Sequence, residues 1–243
     1  MDNLIEFLKN LKNKKMLLIF PHPDDEAYVS GGLLQVAQEL SIHTKLICLT
    51  KGGRGLLPKN RIKAKLIKDI RIKELERACE ILGVDEKTVW DYPDGGLYSE
   101  VNKWLPELKK EIDKFEPSIL VTFDPSGITG HPDHLVVNHK VTEYIFSLDK
   151  RPILFLRVPD KQEYGFFKNN KQLSIASKPT HELNYSFKIS INKIKAILAH
   201  KSQIKSLFFK LHIFEWLLFD HKELYHLVDY DNEKHIQFDF VKC

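Results

Sequence analysis

Cysteine is scarce in this chain: 243 residues contain only Cys48, Cys79 and Cys243. Their spacing fits no metal-binding pair, and an odd, sparse count predicts reduced thiols in a cytoplasmic setting. Long hydrophobic runs are also missing. The most apolar late stretch, 207–219, is interrupted by Lys210, His212 and Glu215 and is too short and too charged to cross a bilayer. Residues 1–15 mix Asp, Glu and Lys with leucines at helical spacing, so the uninterrupted core of a signal peptide is absent and neither export nor a membrane anchor is expected. Charge of one sign is not in excess: 37 Lys and Arg against 33 Asp and Glu leave a formal +4. The lysines are spread along the chain rather than gathered on one element, which speaks against a nucleic-acid partner. No internal repeat, low-complexity tract or glycine-serine linker marks a boundary. One domain is therefore expected, with a core over 1–158 and a cap or extension over 159–243.

What the chain does have is 43% hydrophobic residues, enough for a sizeable core. Apolar runs of strand length recur at 16–20, 44–50, 88–92, 118–123 and 152–158, with helix-period segments between the first four and before the fifth. Such alternation predicts an α/β fold, a mostly parallel sheet with helices on both faces. The clearest helix covers 61–82, where Ile62, Leu66, Ile70, Leu75, Cys79 and Leu82 form an apolar stripe and Gly83 supplies the stop. Beyond 159 the rhythm changes to a polar stretch, a short strand candidate at 185–190, and helix-like segments at 191–206 and 207–219. Within the last of these, Phe208, Phe209, Phe214, Trp216 and Phe219 read as core or as a subunit interface, which makes a homo-oligomer one expectation.

Two polar clusters stand out against this background. Pro21-His22-Pro23-Asp24-Asp25-Glu26 directly follows the first apolar run, and His131-Pro132-Asp133-His134 follows the fourth. Strand ends are where α/β enzymes do chemistry. Crowded imidazoles and carboxylates are costly to desolvate without a compensating cation, so a bound metal explains their density. The prolines restrict His22 to extended or turn conformations and so hold it stiffly. Two histidines and a carboxylate from two loops make a three-ligand site with open positions, as expected for catalytic zinc, and the same set suits ferrous iron. With Asp24 and Asp25 adjacent, one can bind the ion while the other acts as base on a water whose pKa zinc lowers to about 7. Spacing alone does not say which aspartate does which. Glu26 is expected to support the site by accepting hydrogen bonds at the following helix start. The run Gly52-Gly53-Arg54-Gly55 lacks the P-loop Lys-Ser/Thr and the dinucleotide spacing, and reads as an active-site loop.

The first cluster with Gly31-Gly32 behind it, followed by Phe123-Asp124-Pro125-Ser126-Gly127-Ile128-Thr129-Gly130-His131-Pro132-Asp133-His134, resembles the PIG-L/LmbE-like family of zinc-dependent N-acetylglucosamine deacetylases. Arg71-Ile72-Lys73-Glu74, Asp91-Tyr92-Pro93-Asp94-Gly95 and the late His200-Lys201-Ser202-Gln203 agree in order as well. The resemblance implies a Rossmann-like fold with a C-terminal α/β cap and a hydrolase acting on a linear, non-peptide amide. It implies that His22, Asp25 and His134 bind Zn²⁺, that Asp24 deprotonates the attacking water, and that His131, oriented by Asp133, stabilises the oxyanion or protonates the leaving amine. It places Arg71 and Asp94 at a small-molecule N-acetyl sugar substrate.

Thr129 departs from the tyrosine of the mycothiol-pathway branch and is too short for an oxyanion role. His200, with apolar neighbours Ile197, Leu198 and Ala199, reads as a structural histidine. Competing readings are a metallohydrolase of another small amide or of a phosphate ester, and a non-catalytic metal- or sugar-binding protein.

Overall fold

The computed structural model of the chain describes residues 1–54, 64–166, 171–204 and 221–233. Ile62, Gly55, Cys243, part of the polar stretch after 159 and the segment 207–219 with its five aromatics lie outside the described residues. Among the described residues the strands are β1 (Asp2–Asn3), β2 (Lys15–Phe20), β3 (His43–Thr50), β4 (Glu86–Tyr92), β5 (Ile119–Phe123), β6 (Ile153–Val158), β7 (His181–Asn184) and β8 (Lys222–Leu227). The helices are α1 (Leu4–Lys9), α2 (Asp25–Glu39), α3 (Ala64–Leu82), α4 (Val101–Phe115), α5 (Gly127–Gly130), α6 (Pro132–Phe146), α7 (Lys161–Phe166) and α8 (Phe187–Ala199).

All strands join one sheet in the order β1-β7-β8-β6-β5-β2-β3-β4. The five strands from β4 to β6 are mutually parallel, and β8 is antiparallel to both β6 and β7. Both faces are buried, which is why these strands read as continuous apolar runs. Successive residues point to opposite faces: Met16, Leu18 and Phe20 of β2 join a core with α1, α2, α3 and α8, while Leu17 and Ile19 join a second with Trp104, Leu108 and Ile112 of α4 and Val137 and Val141 of α6. The chain runs outward from β2 through β3 to β4, then returns to the other side of β2 through β5 and β6. That reversal is a topological switch point, and the crevice outside the carboxyl ends of β2 and β5 is the place where such sheets bind ligands.

Two expectations are corrected. The strand anticipated at 185–190 lies instead at His181–Asn184, where it pairs with β8, because Ser186 Oγ accepts from the Ile189 amide at 3.4 Å and starts α8 at Phe187. On α3 the buried stripe is Ile67, Arg71, Leu75, Ala78, Cys79 and Leu82, whereas Leu66 is 50% exposed. An arginine therefore sits in the middle of the buried face. The C-terminal part extends the sheet through β7 and β8 and lays α8 against α2 and α3. No helix among the described residues is long and apolar enough to cross a membrane.

Candidate functional site

Both polar clusters arrive at the switch point on stiff, unusual backbone. After β2 the chain turns through Pro21–Pro23 into Asp24, which has φ 118° although it is not a glycine, and its carbonyl starts α2 by accepting the Ala27 and Tyr28 amides. After β5 the loop passes through Gly127, Ile128 and Gly130, all with φ between 58° and 70°. A β-branched residue in that region is a strained exception of the kind that gathers at functional sites. The turn presents the Gly127 carbonyl 2.9 Å from His134 Nδ1, and a Cβ at residue 127 would lie 2.9 Å from the His134 Cβ, so glycine is required.

The histidine partners decide which ring nitrogens are open. A carbonyl only accepts, so His134 Nδ1 carries the proton toward Gly127. Burial holds this imidazole neutral, with its pKa lowered to about 4, which leaves a lone pair on Nε2, 3.5 Å from Asp25 Oδ1. His22 Nε2 faces Asp133 Oδ2 at 3.0 Å and Asp94 Oδ1 at 3.2 Å. Both carboxyls are kept below the usual carboxylate range: burial works against the charge, and the His22 contact more than offsets it. His22 therefore donates from Nε2, and Nδ1 is the nitrogen left for a cation, 3.6 Å from Asp25 Oδ2. With no cation present, burial would lower the His22 pKa, yet the hydrogen bonds to Asp133, Asp25 and Asp94 raise it well above the ordinary imidazole value, so a cation bound at Nδ1 would take the place of a proton held there. Asp25 thus lies between two imidazoles, each oriented by an acceptor on its far nitrogen, the pattern that metal-binding histidines show. Imidazole nitrogen beside carboxylate oxygen is the donor chemistry that divalent cations such as zinc and ferrous iron accept.

Two overlapping groups have donor atoms within 4.8 Å of one another, His22 with His131 and His134, and His22 with Asp94 and Asp133. The second is already engaged by protein donors, since Asp133 accepts the Gly95 amide at 2.6 Å and the Leu97 amide at 3.1 Å, and Asp94 accepts the Arg54 amide at 2.7 Å. The glycine-bearing loop after β3 thereby fixes Asp94.

Asp24 has different surroundings from its neighbour. Its carboxylate makes no cap bond to α2 and lies 3.1 Å from Arg71 Nη2. Burial raises its pKa to about 7 against the lowering charge of Arg71, with Asp25 adding to the rise. Arg71, 4% exposed, also donates to the Pro23 and Gly52 carbonyls. Gly52 has φ +64°, and a Cβ there would meet the guanidinium at 2.4 Å.

The structure thus brings His22, Asp24, Asp25, Asp94, His131, Asp133 and His134 together, with Glu26 behind them. Glu26 accepts the Asp24 amide at 3.0 Å, in line with its expected place at the helix start. Asp133 meets His131 through its main chain, the Asp133 amide donating to His131 Nδ1 at 3.2 Å, while its carboxylate reaches His22. With Nδ1 accepting and burial and His22 keeping the ring neutral, the His131 proton sits on Nε2. Arg71 is turned inward as a support of the Asp24 turn. Thr129 Oγ1 accepts the His131 amide at 3.3 Å and so serves the loop. His200, read from the sequence as a structural histidine, is fully buried with Nε2 2.7 Å from Glu26 Oε1; sequence reasoning missed this partner because the two are 174 residues apart.

A doubly wound sheet with an imidazole and carboxylate cluster at its switch point defines a class, the α/β enzymes that work at the carboxyl ends of parallel strands. Within that class the chain belongs to the PIG-L family: the family profile described as GlcNAc-PI de-N-acetylase matches residues 17–145. It is 31% identical over 199 residues to the "Probable N-acetyl-alpha-D-glucosaminyl L-malate deacetylase 2" of Bacillus anthracis, covering 79% of this chain and 83% of the relative. The 1D-myo-inositol 2-acetamido-2-deoxy-alpha-D-glucopyranoside deacetylase of Thermobifida fusca is 30% identical over 168 residues, 59% of this chain and 58% of that protein. Among solved structures, N,N'-diacetylchitobiose deacetylase from Pyrococcus horikoshii superposes with TM-score 0.71 at 23% identity, covering 93% of this chain and 89% of that chain. A 4-carboxy-2-hydroxymuconate hydratase from Pseudomonas putida shares the fold at TM-score 0.65 and 17% identity, covering 89% of this chain and 96% of that one. One fold carrying both chemistries means that the site must assign the reaction.

Proposed function

We propose that the chain is a zinc-dependent N-deacetylase that hydrolyses the acetamide of an N-acetylglucosamine-type conjugate to acetate and a free amine. The observation that carries this reading is the difference in surroundings of two adjacent aspartates, Asp25 between the imidazoles of His22 and His134 and Asp24 against Arg71. His22 through Nδ1, Asp25 and His134 through Nε2 would hold the ion. A divalent cation held there supplies a Lewis acid that polarises the acetamide carbonyl and acidifies water. Asp24, with a pKa of about 7, is matched to accept the water proton near neutral pH. Nε2–H of His131 is a neutral hydrogen-bond donor for the carbonyl oxygen as negative charge grows on it, and the proton that Asp24 takes from water is the one that passes to the departing nitrogen as the C–N bond breaks. Asp133 and Asp94 keep His22 aligned, and Asp94, tied to the Arg54 amide, would contact a hydroxyl of the sugar. Relatives acting on malate and inositol glycosides support a small soluble conjugate as substrate.

Substitution tests the assignment. Asp24→Asn is expected to retain one zinc per chain while kcat falls by about 10²–10⁴, and His134→Ala to lose the metal itself, both measured by metal analysis and acetate release. An emptied site in Asp24→Asn with a filled one in Asp25→Asn would reverse the two roles.

A further inference from the structure

We propose that His200, acting through Glu26, is a positioning residue that holds Asp24 in its strained conformation; the inference rests on the reading of Asp24 as the base. An aspartate at a helix N-cap ordinarily accepts an amide of the first turn with its own carboxylate. Asp24 does not, and at φ 118° its backbone occupies a strained region that persists only where the surroundings over-determine it. Its amide donates to Glu26 Oε2 at 3.0 Å, and the other Glu26 oxygen is held by His200 Nε2 at 2.7 Å. Both side chains are essentially inaccessible, 1% and 0% exposed. A buried carboxylate left with one partner would reorient, so the grip of Glu26 on the Asp24 amide depends on His200.

His200 is itself fixed from two sides. It ends α8, with its amide on the Ile197 carbonyl at 3.1 Å, and α8 packs on α2 and α3. Two residues on, the Ser202 amide and hydroxyl both donate to Glu74 of α3, at 2.7 and 2.6 Å. The line from α3 and the end of α8 through His200 and Glu26 therefore ends on the residue that must face the attacking water. Among the described residues the buried His200 Nδ1 atom has no hydrogen-bond partner, and the hydrogen bond of the ring is the one Nε2 makes to Glu26.

The test compares His200→Phe, which keeps a ring and removes the donor, with His200→Gln, whose amide nitrogen reaches the Nε2 position, and His200→Asn, which stops short of it. Displacing a catalytic group by about 1 Å costs up to about 100-fold, so His200→Phe should lower kcat by roughly 10- to 100-fold with KM and zinc content unchanged. His200→Gln should recover most of that loss and His200→Asn little. Ser186→Ala, which removes the cap of α8 away from Asp24, serves as the control that lowers Tm and spares kcat. Amide exchange of Asp24, followed by NMR, should be slow in the wild type and His200→Gln and fast in His200→Phe. If His200→Phe does not fold, the Gln against Asn comparison carries the test. Equal kcat in those two, kcat that follows Tm alone, or an Asp24 amide still protected in His200→Phe overturns the proposal. A wild type that releases no acetate would instead overturn the deacetylase reading, and the Asp24 exchange rate would still decide the role of His200.

Discussion

Two aspartates adjacent in sequence, 24 and 25, end in opposite electrostatic settings, and the difference comes from what each can reach. Asp25 lies in the first turn of α2 with imidazoles on both oxygens, so its carboxyl is held low although burial opposes it. Asp24 has one cation beside it and is raised. Because Arg71 supports this turn, Arg71→Lys is expected to lower kcat by about tenfold, the scale of a displaced base, with KM nearly unchanged; a change confined to KM in steady-state assays would place Arg71 at the substrate instead. Asp124, fully buried at the end of β5, provides a pH signature separate from the imidazole and carboxylate cluster. Burial raises it from 3.8 to about 6, against hydrogen bonds from Ser126 and the Ser177 amide. The folded state then favours the proton, so stability falls as pH rises from about 4 through about 6, by about 3 kcal/mol in all, since a tenfold difference in proton affinity is worth about 1.4 kcal/mol. Asp124→Asn should therefore gain stability relative to the wild type between pH 4 and pH 7, as read by chemical denaturation at each pH. A gap that stays constant contradicts the assignment.

At the scale of elements, α2 shows what the sequence could not convey. The helix breaks at Ser30, with φ −138° and ψ 23°, and its second half is capped from 190 residues away: Glu223 of β8 accepts the Gly32 amide at 2.7 Å and the Leu33 amide at 3.0 Å. Arg157 of β6 takes the orphaned Val29 carbonyl at 2.8 Å, and Lys193 of α8 neutralises Glu223 at 2.9 Å. Local patterning contains no trace of these partners, and for the same reason β7 and β8 escaped it, being short strands defined by each other. The central strands were legible because both their faces are buried, and the clusters were legible because prolines and charges interrupt those apolar runs. The orientation of the imidazoles was not, since it depends on Gly127, Asp133 and Asp94 in three dimensions. Glu223→Gln should destabilise the fold by about 3 kcal/mol, because Lys193 is left as a buried charge without its counter-ion. Urea denaturation reads that loss, and a change below about 0.5 kcal/mol would show that the break in α2 stands without the carboxylate.

For the whole molecule, the order of strands creates the switch point, the two strand ends deliver the two clusters, and α8 brings His200 against Glu26 behind them. The most direct measurement is acetate release from N-acetylglucosaminyl L-malate by the protein loaded with one equivalent of zinc, before and after removal of the metal with a chelator. Acetate formed stoichiometrically with free amine, abolished by the chelator and restored by zinc, is the predicted result. Turnover that survives the loss of the metal, or a zinc-loaded protein that releases no acetate from this or any other N-acetylglucosamine conjugate, would contradict the account.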